Sequence, residues 1–357
     1  MSRLLTPGFR IPGLKCLEGS KTFARPIDTQ LPGGNNIMAT YLIKRLLQGI
    51  VVLLAVSFVC FMLFRYTGDP VLMLAGKYAT QQEQEMVRKA YGLDRPLHIQ
   101  YLNFIGGALH GHFGKSYVSQ VDAFDMIVER MPATLELAFT AICISFIVGV
   151  GLGIVISVWP TGVVSRTIMA GSILGISIPT FLIGILLVMM FSVYLEWLPA
   201  FGRGDTIRIG FWRTGLMTVD GWKHLILPAL TLSGYQLAVL LRLTRAGMRE
   251  VLSEEYIKTA WAKGLSPFKV IVKHALRNVL IPVVTIAGLS FGELIAFSIV
   301  TETIFQWPGM GNLLLTSIFE TDQPVIVTYI MLAAFIILTI NILVDFMYAL
   351  LNPKIRY

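Results

Sequence analysis

The chain has 357 residues, 55% hydrophobic and only 14% charged, with a mean hydropathy of +0.70. So few charges cannot coat a soluble protein of this size, and the composition points to a polytopic membrane protein. The formal net charge of +8 could signal nucleic acid, but basic residues gathered on one side of a membrane explain it more simply. The three cysteines settle little: Cys16 lies in the N-terminal tail, and Cys60 and Cys143 lie in apolar runs. No pair occupies an external loop, so no disulfide framework is implied.

Residues 1–37 are mixed and polar, with several Pro and Gly and no apolar h-region, so they do not read as a secretory signal. Two expectations stand for them: a cytoplasmic tail, or a mis-called start with translation beginning at Met38. Lys44 and Arg45 precede a first span over about Leu46–Phe64, since a span needs roughly 20 apolar residues. Further spans are expected at about 136–158, 168–194, 225–246, 279–300 and 325–350. The fold class is therefore an all-α polytopic membrane protein with six transmembrane helices. Ile178-Pro179 predicts a break in the third span, because proline removes a backbone donor. Gly149/Gly153 and Gly171/Gly175 have the small-xxx-small spacing of close helix contacts.

Orientation follows from Lys and Arg. With a cytoplasmic N-terminus, the inside segments 1–45, 159–167, 242–277 and 352–357 hold 18 basic residues against 5 acids. The rest of the chain holds 11 basic residues and 16 acids, so both termini are expected in the cytoplasm. The first external segment, about 65–133, is long. Glu83 to Tyr91 reads as a helix stopped by Gly92, and Pro96 opens an amphipathic helix through Tyr101 to Leu109.

Several chemistries fail on inspection. Gly114-Lys115-Ser116 ends like a phosphate loop, but the pattern needs glycine where Leu109 stands. His98, His110 and His112 gather in the first external segment, where solvated loop histidines are the default and a metal site would need convergent ligands. Neither a nucleophile elbow nor His-Glu-x-x-His occurs, so an intramembrane enzyme is not indicated. Glu293 lies near the middle of the fifth span, where an ionisable residue is costly and points to function. Glu293 and Pro179 are the pathway candidates. The competing reading of Glu293 is a hydrogen-bonded structural group against a neighbouring helix.

The stretch 253–282 is the most polar segment between two long apolar runs. Ser253 can cap a short helix with Glu254 and Glu255 in its first turn. Ile257, Ala260 and Trp261 share one face at i, i+3, i+4. Gly264 ends the helix as the expected left-handed residue, and Ser266-Pro267 restarts it. Phe268, Ile271, Val272, Ala275 and Leu276 form a second apolar stripe, opposite Lys269, Lys273 and Arg277. By composition alone, such a basic amphipathic hairpin could equally lie on lipid headgroups.

Glu255-Tyr256-Ile257-x-Thr259-Ala260-x-Ala262-Lys263-Gly264-Leu265, followed by His274-Ala275-Leu276-Arg277-Asn278-x-Leu280-Ile281-Pro282, resembles the coupling loop of ABC-importer permeases of the dipeptide, oligopeptide and nickel branch. The general family's Glu-Ala-Ala register holds Lys258-Thr259-Ala260 here, and its Leu-Pro falls on Leu276-Arg277; both departures resemble the peptide branch. Trp261 stands where that branch usually has Arg. Gly68-Asp69-Pro70, Phe113-Gly114-Lys115-Ser116, Met131 to Glu136, Leu198-Pro199-Ala200, Glu302 through Trp307-Pro308-Gly309-Met310-Gly311 to Asp322, and Asn341 through Asp345 to Tyr357 are similar to the branch at matching positions. The resemblance covers about 38–357. It implies a permease with no ATPase of its own and no bound cofactor, one half of a pathway for di- or oligopeptides or peptide-like solutes. It further implies a second permease, two ATPase subunits carrying ATP and Mg, and an external solute-binding protein, in a bacterial inner membrane. Glu255, Tyr256, Lys258, Thr259, Ala260, Ala262, Lys263 and Gly264, within a cytoplasmic loop at 253–277, would then form the ATPase contact. An ATP-independent channel or secondary transporter is the alternative.

Overall fold

The computed structural model describes residues 34–66, 71, 79–90 and 92–351. The 1–33 part of the tail, Gly68-Asp69-Pro70, Tyr91 and the end from Asn352 lie outside the described residues. The first span is the second half of α1, Gly34–Tyr66. Two shorter helices follow, α2 (Gln81–Ala90) and α3 (Leu97–Leu109), close to the expected pair. Thr80 opens α2 by donating its backbone N–H and hydroxyl to Glu83 at 2.8 and 3.0 Å, which holds that carboxyl below its usual range.

The bundle proper begins with α4, Ala123–Val158, whose first turn is capped by the Asp122 side chain on the Phe124 amide. The span expected from 136 thus starts earlier, and Met131-Pro132 lies within the helix rather than in a loop. The expected third span is α5 (Val163–Ser177) and α6 (Thr180–Leu187), the latter continuing as a π-helical turn over Val188–Tyr194. They meet at Ile178-Pro179 with a bend of 110°, so this region is a broken pair and not one straight rod. Pro179 cannot continue the amide ladder of α5, and its fixed φ starts α6 instead. Five described helices are long and apolar enough to cross a membrane, or six spans if the bent pair is one.

The next connection carries a two-stranded antiparallel ribbon absent from the all-α expectation. β1 (Ile207–Ile209) pairs with β2 (Trp212–Thr214) around Gly210, which sits at φ +63°. Then come α7 (Val219–Leu252), α8 (Glu255–Ala262), a π-helical stretch Lys269–Leu276 running into α9 (Arg277–Ile304), the short α10 (Met310–Phe319) and α11 (Gln323–Leu351).

Packing between α4 and α7 sets the bundle. Lipid offers no hydrophobic drive between helices, so close backbone approach must supply the attraction. A Cβ added at Gly153 would stand 2.7 Å from Thr244 Cβ and 2.9 Å from the Leu241 carbonyl, and one at Gly149 would meet the Leu237 carbonyl at 2.9 Å. This glycine pair is therefore a contact site. Gly171 and Gly175 are not equivalent to it: around Gly171 nothing lies within 4 Å, and Gly175 makes an ordinary approach to Gly234. The repeat spacing there falls on a face that no helix covers closely.

Two apolar clusters result, one at each end. Ile127, Leu137, Leu225, Ile295, Trp307 and Met310 fill the end that carries the ribbon. Leu240, Met248, Ile257, Val270, Ala275 and Val279 fill the end that carries the 253–276 hairpin.

Candidate coupling hairpin and pathway face

The hairpin forms as two helical pieces around a glycine. Ser253 does not cap α8. Its hydroxyl donates back to the Glu250 carbonyl at 2.7 Å, finishing α7, and Glu254 takes the cap position. Ile257 and Ala260 are buried against Met248, Val270 and Val279 and fasten α8 to the bundle. Trp261, expected on the same face, is exposed, because a helix as short as α8 covers only a narrow stripe. Gly264 sits at φ +72° with open space around its missing Cβ. Its need is conformational and not steric.

The second piece starts at Pro267, as the Ser266-Pro267 signal required, and the Val270 amide bonds to the Ser266 carbonyl at 3.1 Å. It then widens into a π-helix, which shifts the buried stripe from the expected one. Val270 and Ala275, five apart, are buried, while Phe268 and Val272 are exposed. A π-turn closes i→i+5 bonds, so α-helical spacing misassigns its faces. Lys269, Lys273 and Arg277 are exposed together, as the charge spacing indicated.

Of the residues expected to meet a partner, Glu255, Tyr256, Lys258, Thr259, Ala262, Lys263 and Gly264 are exposed, around the buried Ile257 and Ala260. Ala260 is the exception: it is buried and faces the bundle, so close approach from outside falls to Ala262 alone. Lys258 Nζ pairs with Glu255 Oε1 at 2.7 Å, and Asn278 Nδ2 donates to the Tyr256 hydroxyl at 2.7 Å, tying α8 to the first turn of α9. The outer surface thus sets charged and small residues beside the exposed rings of Tyr256, Trp261 and Phe268, on a base held by packing.

Glu293 lies on an exposed face of α9 with Ile286, Leu289, Phe297 and Val300. Gly288 and Phe291, on the opposite face, line an apolar groove of about 590 Å³ with α4 and α11. No hydrogen bond or ion pair joins Glu293 to another of the described residues. Pro179 is exposed at the helix break. It shares no hydrogen bond or ion pair with Glu293. Asp345 pairs with Arg45 of the first span at 3.0 Å.

The strongest polar sites escaped sequence reasoning. Glu136 is buried and receives Arg203 Nη2 at 2.7 Å, Trp212 Nε1 at 3.0 Å and the Gly215 amide at 3.3 Å. Arg203 also lies over the Trp307 ring, 5.8 Å from its centroid. Glu302 is fully buried and accepts from Thr134 at 2.7 Å, Ser298 at 3.0 Å and the Asn312 amide at 2.8 Å, the last at the start of α10. Both acids stood in the sequence at the edges of apolar runs, a usable signal for burial, but nothing local named their partners. The histidines do not converge: among the described residues no group of three or more His, Cys, Asp or Glu could hold a metal ion.

The family described as "Binding-protein-dependent transport system inner membrane component" matches residues 149–357, and its N-terminal companion matches residues 38–138. The chain belongs to this family. It is accordingly a multi-pass inner-membrane permease subunit of an ABC importer, in which ATP hydrolysis is the task of a separate subunit. The permease is 43% identical over 321 residues to the glutathione transport system permease protein GsiC of Escherichia coli K12, covering 90% of this chain and 100% of that one. The same identity and coverage hold for GsiC of Shigella dysenteriae serotype 1. Among solved structures, the MetNI methionine ABC transporter in inward-facing conformations matches with a TM-score of 0.50 at 16% identity. That match spans 64% of this permease and 96% of the MetNI chain, and it bears on the fold alone. Membership implies partner ATPases, a binding protein and a second permease.

Proposed function

We propose that residues 38–357 form one permease domain that supplies half of the translocation pathway for di- or oligopeptides or peptide-like solutes. Glutathione, named in the relatives above, is the first solute to test. A second permease completes the pathway, two ATPase subunits bind ATP and Mg, and a solute-binding protein delivers from outside. In this reading residues 65–133 and the ribbon face outward, and both termini and the 253–277 loop face the cytoplasm.

The observation that carries the reading is the hairpin. Its inner side is packed into the bundle by Ile257 and Ala260, its outer side exposes charged residues and the rings of Tyr256 and Trp261, and it runs without interruption into α9. A body gripping Glu255 to Gly264 would move two long helices as one piece. The exposed face of α9 around Glu293 fits the pathway side, since an unpaired carboxylate facing hydrocarbon costs about 2.5–3.5 kcal/mol even on the lenient insertion scale.

Co-purification from native membranes in mild detergent, with every partner identified by mass, tests the assembly. A second permease with nucleotide-binding subunits, and glutathione uptake into liposomes that stops on ATP removal, are the expected results. A chain that purifies alone and conducts solute without ATP would establish the channel alternative.

A further inference from the structure

A groove of about 840 Å³ runs between α1 and α11, and its polarity is graded from one end to the other. At the first end Arg45 Nε and Nη2 meet the two oxygens of Asp345 at 3.0 and 3.3 Å. Beside this pair Lys44 is exposed and forms no ion pair with another described residue. One turn further in, two carboxamides line the groove, Gln48 from α1 and Asn341 from α11. At the helical rise they lie about 4.5 and 6 Å deeper than the ion pair. The rest of the lining is apolar, and Gly49 brings α1 down onto Leu338, where an added Cβ would stand 2.9 Å from that side chain.

The carboxamides need an explanation. Gln48 is exposed and Asn341 half-buried, and neither hydrogen-bonds another described residue. In a bilayer such exposure does not bring bulk water, and a polar group facing hydrocarbon without a partner is costly. Charge, then amide donors, then an apolar wall is also the order of a glycerophospholipid read inward: phosphate, ester carbonyls, acyl chain. Basic pockets between membrane helices on the cytoplasmic side hold anionic headgroups in this way.

The position of the groove favours lipid over a second permease. Gly288 and Gly292 set α9 against Val344 and Ile337 of α11, while Glu293 lies on the exposed face of α9 that we assign to the pathway. Helix α11 thus stands behind α9, and α1 packs on α11 and α3 at the periphery. Among the described long helices, α1 and α11 are the least covered by the rest of the chain.

We propose that this groove binds one anionic glycerophospholipid of the cytoplasmic leaflet. Its phosphate meets Lys44 and Arg45, its ester carbonyls accept from the Gln48 and Asn341 amides, and one acyl chain lies along Val52 and Leu338. Lys44, in excess over the Arg45–Asp345 pair, selects an anionic headgroup over a zwitterionic one. The bound lipid bridges α1 and α11 and fastens the peripheral first span to the bundle. The choice of leaflet rests on the orientation proposed above; the lipid contacts do not depend on the solute.

The test is native mass spectrometry of the full chain, purified with its partners in mild detergent and washed free of bulk lipid. Phosphatidylglycerol should stay bound to the permease while phosphatidylethanolamine is lost. Gln48→Leu combined with Asn341→Leu should lower the retained phosphatidylglycerol about tenfold, because two hydrogen bonds are removed while the helices become more apolar. Equal retention in that variant, or retention of both lipids alike, would mean annular lipid only and would overturn the proposal. Lys44→Gln, at an exposed position outside the packed core, should reduce the preference for phosphatidylglycerol; an unchanged preference would overturn the headgroup assignment. A benzophenone amino acid placed at Val51, which is 65% exposed in the groove, should crosslink to lipid, and a crosslink to the second permease would overturn lipid as the occupant. Modification of Lys44 by a membrane-impermeant amine reagent in spheroplasts would instead overturn the orientation, and the leaflet with it.

Discussion

Arg203 and Glu136 form an ion pair of 2.7 Å with side chains only 8% and 4% exposed, 67 positions apart in the chain. The pair joins α4 to the segment that carries the ribbon, and Trp212 and Gly215 complete the carboxylate's hydrogen bonding. Removing one partner leaves the other buried and uncompensated, at a cost of about 3–5 kcal/mol. Glu136→Leu and Arg203→Met should each lower thermal stability in detergent strongly. The double variant should lose clearly less than the sum, which a thermal-shift cycle would reveal.

Glycine spacing gives a paired prediction. Gly153→Ala should disturb the α4–α7 crossing, costing about 1–3 kcal/mol as other overpacked sites do. Gly171→Ala should be silent, because its Cβ would meet nothing within 4 Å. Thermal unfolding of both variants side by side decides the matter; equal losses would contradict the packing described.

Gly264 tests the hairpin. A β-branched residue at φ +72° is strained by about 1–2 kcal/mol, while the space around it is open. Gly264→Val should leave expression and membrane insertion intact and reduce ATP-dependent uptake several-fold. Full activity would argue against a role for the turn in coupling.

Glu293→Gln removes a charge from an exposed position without altering shape. Folding should be unaffected, and uptake of cationic solutes should fall several-fold more than uptake of neutral ones. Comparing uptake of solutes matched in size checks this, and an equal effect on both would place Glu293 outside the pathway.

Much of this architecture was legible because lipid imposes simple patterns. Span-length apolar runs located the long helices, Gly264 and Ser266-Pro267 marked the hairpin, and Gly149/Gly153 marked the tightest crossing. The misses share a cause, which is information held outside the local sequence. The π-helical stretch left Phe268 and Val272 exposed and buried Val270 beside the expected Ala275, a change of period that the residues themselves do not announce. The 207–214 ribbon is too short to stand out, and it is held by a carboxylate on α4. Nothing near Glu302 in the sequence points to Thr134, 168 positions earlier, whose hydroxyl it accepts. For the coupling residues, exposure followed the expected stretch except at Ala260, where helical phase turned a small residue inward.

The uninterrupted length of α7 has a mechanical consequence. Its 34 residues make a rod of about 51 Å. Pivoted at the Leu252 end, a tilt of 5° sweeps the Val219 end sideways by about 4 Å, more than the length of a hydrogen bond. At that far end Asp220 accepts the Asp205 amide at 2.9 Å, and Thr218 donates to the Asp205 carbonyl at 2.7 Å. These two bonds work as a catch: the rod cannot swing that far without either carrying the ribbon segment along or letting it go.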